Sequence, residues 1–268
     1  MFKLGHAVVG MIHVQALPGT PRNSLTVQKI IEAACKDAEI YSKGGVNAVL
    51  VENMHDLPYL QQHQLGPEVT ATMTAVCAAV RRVLPEHISC GVQVLAGGNQ
   101  QALAVALASG FTFIRAEGFV FSHVADEGLM NACAGELLRY RRNIGATNIK
   151  IFADIKKKHC SHAVTSDVSL QDTAKAAEFF CADGLVVTGS STGDPATPSH
   201  IEDVRKASGL PVLVGSGVTA DNVHNYLSAS GFIIGTHFKR DGRWENEVCQ
   251  ERVENFMAKL YNSTQRFE

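Results

Sequence analysis

Short apolar runs alternate along the chain with longer stretches whose apolar residues recur at helical spacing, and the order does not break from end to end. The runs Val8–His13, Asn47–Asn53, Ser89–Leu95, Phe111–Glu117, Ile149–Asp154, Gly184–Gly189, Pro211–Gly215 and Gly231–His237 read as strands. Between them the pattern predicts helices over Thr26–Lys43, from Pro67 onward, and over Gln100–Ser109, Leu129–Asn143, Leu170–Cys181, Ser199–Ser208, Ala220–Ser228 and Glu247–Tyr261. In the second of these, Val69, Met73, Val76, Val80 and Val83 share one helical face. Pro67 stands at a first-turn position, where its missing N–H costs nothing, and Gly110, Gly209 and Gly231 follow helix ends as stop signals.

Eight strand–helix units predict an α/β protein, a single closed (β/α)8 TIM barrel, because right-handed crossovers around eight parallel strands bury both faces of each strand. An open doubly wound sheet fits less well, since Ile12–Gly19 contains no Gly-x-Gly-x-x-Gly turn after the first strand. Length agrees: 268 residues suit one barrel of about 250 residues. No Pro-rich or Ser-rich linker divides the chain, so residues 1–268 are expected to form one domain.

Composition then narrows the function. With 24 Lys plus Arg against 26 Asp plus Glu, the formal net charge is −2, so nucleic acid is not the expected partner. The apolar run Ala7–Ile12 is too short to span a membrane and reads as the first strand. Cys35, Cys77, Cys90, Cys133, Cys160, Cys181 and Cys249 are dispersed without a Cys-x-x-Cys pair, which suggests free thiols in a reducing compartment. A cytoplasmic location is expected, with the mitochondrial matrix as the alternative if a targeting extension precedes this sequence. Apolar helix residues could pair subunits into a homo-oligomer, although packing on the strands already accounts for them.

A (β/α)8 barrel places its site at the C-terminal ends of the strands. There the sequence offers His13, Glu52 and Asn53, Gln93, Arg115 and Glu117, then Asp154 running on to Lys158 and His159. Burying so many polar groups unpaired would be costly, so either they pair into a network that closes the barrel or they serve chemistry. Alternation puts Phe111, Phe113, Arg115 and Glu117 on one face of their strand, and Phe152, Asp154, Lys156 and Lys158 on one face of theirs if that strand runs on so far. Lys157 reads as part of a solvated loop, and His55, His63, His87 and His123 read as surface residues.

The seventh and eighth strands end in Gly215-Ser216-Gly217 and Gly235-Thr236, two glycine turns in the loops where many barrels hold a phosphate. Thr188 and Gly189, opening the polar loop that runs on through Ser190, Ser191, Thr192 and Gly193, extend this expected phosphate-binding set. His13, Glu52, Asp154 and His159 are of ligand types that could converge on Mg2+, Mn2+ or Zn2+, although no His-Glu-x-x-His occurs and no cofactor is certain.

These residues resemble the BtpA family. The resemblance rests on Val9–Pro21, on Val51-Glu52-Asn53 with Asp56-Leu57-Pro58, and on Asp154-Ile155 with Lys158-His159. It continues through Thr188-Gly189 with Thr192-Gly193, and Gly235-Thr236 followed by Lys239 and Asp241-Gly242, in order along nearly the whole chain. It implies a barrel of the ribulose-phosphate-binding type with its phosphate pocket over strands seven and eight. It implies little about chemistry: the family is named for a factor in photosystem I accumulation, relatives occur where no photosystem exists, and other members resemble sugar-metabolism enzymes of unassigned reaction. Two departures stand at the site. Ala96-Gly97-Gly98 replaces a common Arg-Asn-Asp run, and Glu117 stands where many relatives have asparagine.

Two function classes follow. One is an enzyme acting on a small phosphorylated, sugar-like or nucleotide-like metabolite, with Glu52 and Asp154 as bases, His13 or His159 as proton shuttle and Lys158 as electrophile. A Schiff base at Lys156 or Lys158 is the covalent variant. The other is a non-catalytic assembly or stability factor that uses the barrel to sense a ligand, which the fold alone does not exclude.

Overall fold

The computed structural model describes residues 6–189 and 191–265. The ends of the expected domain and Ser190 lie outside the described residues. Eight parallel strands, β1 (Ala7–His13), β2 (Ala48–Glu52), β3 (Ser89–Gln93), β4 (Phe113–Ala116), β5 (Lys150–Ile155), β6 (Gly184–Val187), β7 (Val212–Val214) and β8 (Gly231–Ile234), close into a barrel. Each pairs with its neighbour in sequence, and closure joins β8 to β1 with Gly10 opposite Ile234. The expected barrel is the observed one.

Among the described residues, seven α-helices ring the strands: α1 (Val27–Lys43), α2 (Pro67–Val83), α3 (Asn99–Ser109), α4 (Ala134–Asn143), α5 (Leu170–Phe179), α6 (Pro198–Ala207) and α7 (Gln250–Thr264). Local chemistry sets their ends. The Thr26 and Ser169 side chains accept from Lys29 N and Asp172 N to start α1 and α5, and Gly110 in the left-handed region (φ 71°) closes α3. Among the described residues, no helix is long and apolar enough to cross a membrane.

Three helix expectations are corrected. Residues 129–133 are not helical, because Gly128–Met130 pairs antiparallel with His123–Ala125, which pairs in turn with Cys160–Ser161. This three-stranded sheet joins the loops after β4 and β5, and its turn residues Asp126 and Glu127 overhang the barrel mouth. Ala220–Ser228 holds only the 3-10 turn Val223–Tyr226. There the Asn222 side chain accepts from Thr219 N at 2.8 Å and donates to Gly217 O at 2.8 Å, committing backbone groups to a loop instead of a helical ladder. The last helix begins at Gln250 rather than Glu247, because Val248 bridges to Lys239.

The strands bury two cores. The outer one packs residues such as Val8, Ile12, Val49, Val51 and Ile114 against helix residues such as Ile30, Val76 and Phe256. The inner one, Val9, Met11, Ala48, Leu50, Phe113, Phe152, Val186, Leu213 and Ile233, fills the barrel. Two glycines make that filling fit. A Cβ at Gly91 would stand 2.2 Å from the Phe113 ring and one at Gly184 2.4 Å from the Phe152 ring, so the two rings occupy space that only glycine leaves. The rings meet edge to face at 5.7 Å and form an apolar floor.

Candidate functional site

Strand alternation carries the inner parity upward from that floor. Two residues beyond Met11, Leu50, Gly91, Phe113, Phe152, Leu213 and Ile233 come His13, Glu52, Gln93, Arg115, Asp154, Gly215 and Gly235. All seven line one cavity of about 470 Å³ at the mouth, a volume suited to a small metabolite. Glu117, Lys158 and His159 line it too, as do Ser216, Gly217 and Thr236.

Several charges in this layer neutralise each other. Arg115 Nε donates to Asp154 Oδ1 at 3.0 Å, with both side chains buried. Gly215 is bare because a Cβ there would stand 2.5 Å from Val186 Cγ1 on the neighbouring strand. Burial pushes the Asp154 carboxyl up, while Arg115 pulls it back toward ionisation. Glu117 takes Lys157 Nζ at 2.8 Å on one oxygen and Gly97 N at 2.9 Å on the other. Burial opposes its charge, but these donors outweigh it and hold its pKa below the usual carboxylate range. The Ala96-Gly97-Gly98 segment therefore supplies a backbone donor to Glu117, with Gly97 at φ 64°.

Glu52 and Lys158 stand outside these pairs. Among the described residues, neither the Glu52 carboxylate nor Lys158 Nζ has a hydrogen-bond or ion-pair partner. Burial raises the Glu52 pKa, and burial followed by the Arg115 charge lowers that of Lys158 to about 8. The Gln93 Oε1 atom is likewise buried without a partner. His13 donates from Nδ1 to Trp244 O at 3.0 Å, and burial holds its pKa well below the ordinary histidine value. The ring is thus neutral, with Nε2 left as an acceptor beside Gly235. His159 sits at the rim, where Nε2 accepts from Thr192 N at 3.0 Å and ties the loops after β5 and β6.

The opposite wall is built from glycine turns. Gly217, at φ 68°, passes so close to Pro195 that a Cβ would stand 2.2 Å from its backbone. Gly217 N and Val218 N form no hydrogen bond among the described residues, leaving N–H groups for an anion. Arg252, from the first turn of α7, lines the cavity beside these turns and donates from Nε to His237 O at 2.6 Å. His237 is held neutral, its pKa lowered to about 4 by burial and by Arg252.

Three expected site residues do not reach the cavity. Asn53 has the opposite parity to Glu52 and is fully buried. It donates to Asp56 Oδ2 at 2.9 Å and accepts from Leu95 N at 2.7 Å, while Asp56 takes Leu17 N at 2.7 Å. The Asn53–Asp56 pair thus clamps the loops after β1, β2 and β3 together. Thr188 and Gly189 brace the wall instead of lining it: Thr188 Oγ1 accepts from Lys158 N at 3.2 Å, and Gly189 N donates to Ser216 Oγ at 2.7 Å.

Further corrections concern the basic run and the histidines. Lys157 is half-buried in the site and paired with Glu117, not solvated, and Lys156 turns away to Thr165 O at 3.1 Å. Strand β5 ends at Ile155, and Lys156 at φ 46° breaks the alternation expected to carry on to Lys158. His123 is buried and His55 half-buried against Trp244, whereas His63 and His87 are exposed. Lys239, fully buried, pairs with Asp37 of α1 at 3.1 Å, so its motif position is structural. No three His, Cys, Asp or Glu side chains among the described residues group as metal ligands. Trp244, Arg252 and Tyr59 also line the cavity, and no strand-end reading singles them out.

The chain is similar to solved barrels across almost its full length. It superimposes on a thiamine phosphate pyrophosphorylase from Pyrococcus furiosus with TM-score 0.60 at 13% identity, covering 96% of each chain. The figures for an orotidine 5'-monophosphate decarboxylase from Methanocaldococcus jannaschii, complexed with inhibitor BMP, are 0.59 and 14%, covering 96% of this chain and 99% of that one. Identities so low establish the shared fold. Among sequence relatives, an uncharacterized mitochondrial protein of Caenorhabditis elegans is 49% identical, over 93% of this chain and 91% of that one. A photosystem I biogenesis protein of Synechocystis is 31% identical, over 97% and 89%. The BtpA family model matches residues 5–262, and the chain belongs to the BtpA family.

Proposed function

We propose that this barrel is an enzyme acting on a small phosphorylated, sugar-like or nucleotide-like metabolite by acid/base chemistry at its mouth. The observation that carries the reading is the pairing pattern in the cavity. Asp154 and Glu117 are matched by Arg115 and Lys157, yet the buried Glu52 and the half-buried Lys158 are unmatched on the same cavity as the glycine turns. Buried groups kept unpaired cost stability and are the groups able to move protons near neutral pH. Phosphate anchoring at Gly215–Gly217 and Gly235–Thr236, with Arg252 beside them, would position the reacting carbons over Glu52 and Lys158. His13, with its free Nε2 acceptor, serves as the accessory proton carrier. The near-neutral charge balance suits a small ligand better than nucleic acid, and seven free cysteines suit the cytosol or the mitochondrial matrix, the latter in keeping with the name of the C. elegans relative.

The test is thermal denaturation with inorganic phosphate, ribose 5-phosphate, ribulose 5-phosphate and dihydroxyacetone phosphate. A ligand at a hundred times its Kd should add about 2.7 kcal/mol, or roughly 5–10 °C for a domain of this size. Thr236→Asp, which sets a carboxylate against the anion, should remove the shift. No shift with any phosphorylated ligand overturns the reading.

The second reading is an assembly or stability factor, favoured by the name of the Synechocystis relative and by Val124, Leu129 and Val164, exposed on and beside the three-stranded sheet. A factor would keep its full effect in cells when Glu52 is replaced by glutamine, whereas an enzyme would not.

A further inference from the structure

Besides Arg252 at the glycine turns, the cavity is lined by Arg115, Lys157 and Lys158, three cations with different freedoms. Arg115 is locked to Asp154 and keeps its proton at any ordinary pH, and Lys157 is locked to Glu117, which raises its pKa. Both are positive charges fixed by a carboxylate. Lys158 adds no fixed charge that these two do not supply, and it is the half-buried amine of the site whose Nζ is bound to nothing else among the described residues. Its backbone is anchored while its head is free: Lys158 N donates to Thr188 Oγ1, and the next residue, Gly189, donates to Ser216 Oγ in the phosphate turn. Two hydrogen bonds thus fix the amine's attachment point relative to the anion site. A partnerless carboxylate, Glu52, lines the same cavity and is electrostatically coupled to it.

We propose that Lys158 is a covalent nucleophile that forms an imine with the carbonyl carbon of a phosphorylated aldose or ketose, with Glu52 carrying the protons. This rests on the phosphate reading above and deepens it. The neutral Nζ adds its lone pair to the carbonyl carbon, and the C–O π pair takes a proton from the Glu52 carboxyl to give a carbinolamine. The nitrogen returns a proton to the Glu52 carboxylate. The same proton then goes to the carbinolamine hydroxyl, which leaves as water. In sum, the neutral amine, the Glu52 carboxyl and the carbonyl give the protonated imine, the Glu52 carboxylate and water; where the cycle starts from Lys-NH3+, that ammonium first passes its proton to the Glu52 carboxylate, so charge is conserved throughout. The iminium then accepts the electron pair released when the Glu52 carboxylate takes an α-proton, or takes the β-hydroxyl proton as the bond between the α- and β-carbons breaks; Glu52 returns the proton to the enamine carbon, and addition of water releases the carbonyl product and restores the lysine. A pKa near 8 leaves a useful fraction of neutral amine at physiological pH. The charged and titratable groups facing it are Arg115, Glu52, Asp154, Glu117, His13 and His159.

The experiment is reductive trapping. The full chain is incubated separately with ribose 5-phosphate, ribulose 5-phosphate, dihydroxyacetone phosphate and glyceraldehyde 3-phosphate, then reduced with sodium borohydride, weighed intact and mapped by peptide mass. One adduct is expected, on Lys158, at least ten-fold above Lys158→Met, with a yield that rises from pH 7 to 9 and falls when inorganic phosphate competes. Lys158→Arg, which keeps the cation but has no nucleophilic amine, must lose the adduct as well, so the result does not depend on one variant. Equal labelling of wild type and both variants, or labelling spread over surface lysines, overturns the proposal. A sugar phosphate that raises the melting temperature but leaves no adduct removes the imine and keeps the phosphate pocket. Absence of both effects removes both.

Discussion

Glu52 and Lys158 set stability against chemistry, and pH separates the two. In the fold the Lys158 pKa is lowered to about 8, against about 10.4 in an unfolded chain. Below pH 8 both states hold the proton and the folded state bears the full penalty, about 3 kcal/mol at 1.36 kcal/mol per unit. From pH 8 to about 10.4 the unfolded chain binds more protons, so stability rises with pH and the penalty fades. Lys158→Met should therefore be more stable than wild type at pH 7, with the gap closing toward pH 10, as read from urea midpoints across that range. Glu52 has the opposite sign. Its pKa is raised on folding, so its cost is absent at acidic pH and grows as pH rises from the unfolded value through the folded one. Glu52→Gln should gain stability at pH 8 and little at pH 4, while lowering any turnover roughly 10²- to 10⁴-fold with KM nearly unchanged.

At the level of elements, the barrel depends on how each strand's inner face alternates. Gly184→Ala forces a methyl into the Phe152 ring and should cost roughly 1–3 kcal/mol in urea denaturation. Phe152→Leu in the same chain should recover part of that loss. Alternation was also what made the site legible in advance. Arg115 shares the parity of Phe113, and Asp154 that of Phe152, so composition and period alone bring both to the mouth. The same period hides what happens where it stops. A lysine at positive φ leaves no trace in sequence, so the switch at Lys156 that sends Lys157 into the site could not be read. Leu129 and Met130 continue an apparent helical face toward Leu137, and only Gly128, at φ 102°, marks the turn that makes them a strand. Arg252 and Trp244 lie beyond the last strand, where no spacing rule connects them to a strand end.

Over the whole molecule, most of the charge at the mouth is balanced within one wall, where Arg115 and Lys157 pair with Asp154 and Glu117. The carboxylates gather over β2, β4 and β5, and the free N–H groups and Arg252 stand over β7 and β8. Because no three metal-ligand side chains group among the described residues, EDTA should leave the ligand-free melting temperature unchanged within about 1 °C. Any Mg2+ effect should then appear only with the phosphorylated ligand present, which parallel melts with and without EDTA would reveal. The chain has one tryptophan, Trp244, and the fold places it at this mouth, 5.1 Å from the His55 ring and 6.3 Å from the His13 ring. Its indole emission is therefore an intrinsic optical reporter of the cavity, with no second tryptophan elsewhere to dilute the signal. Stopped-flow fluorescence of the unlabelled protein can time ligand arrival separately from any later bond-making step.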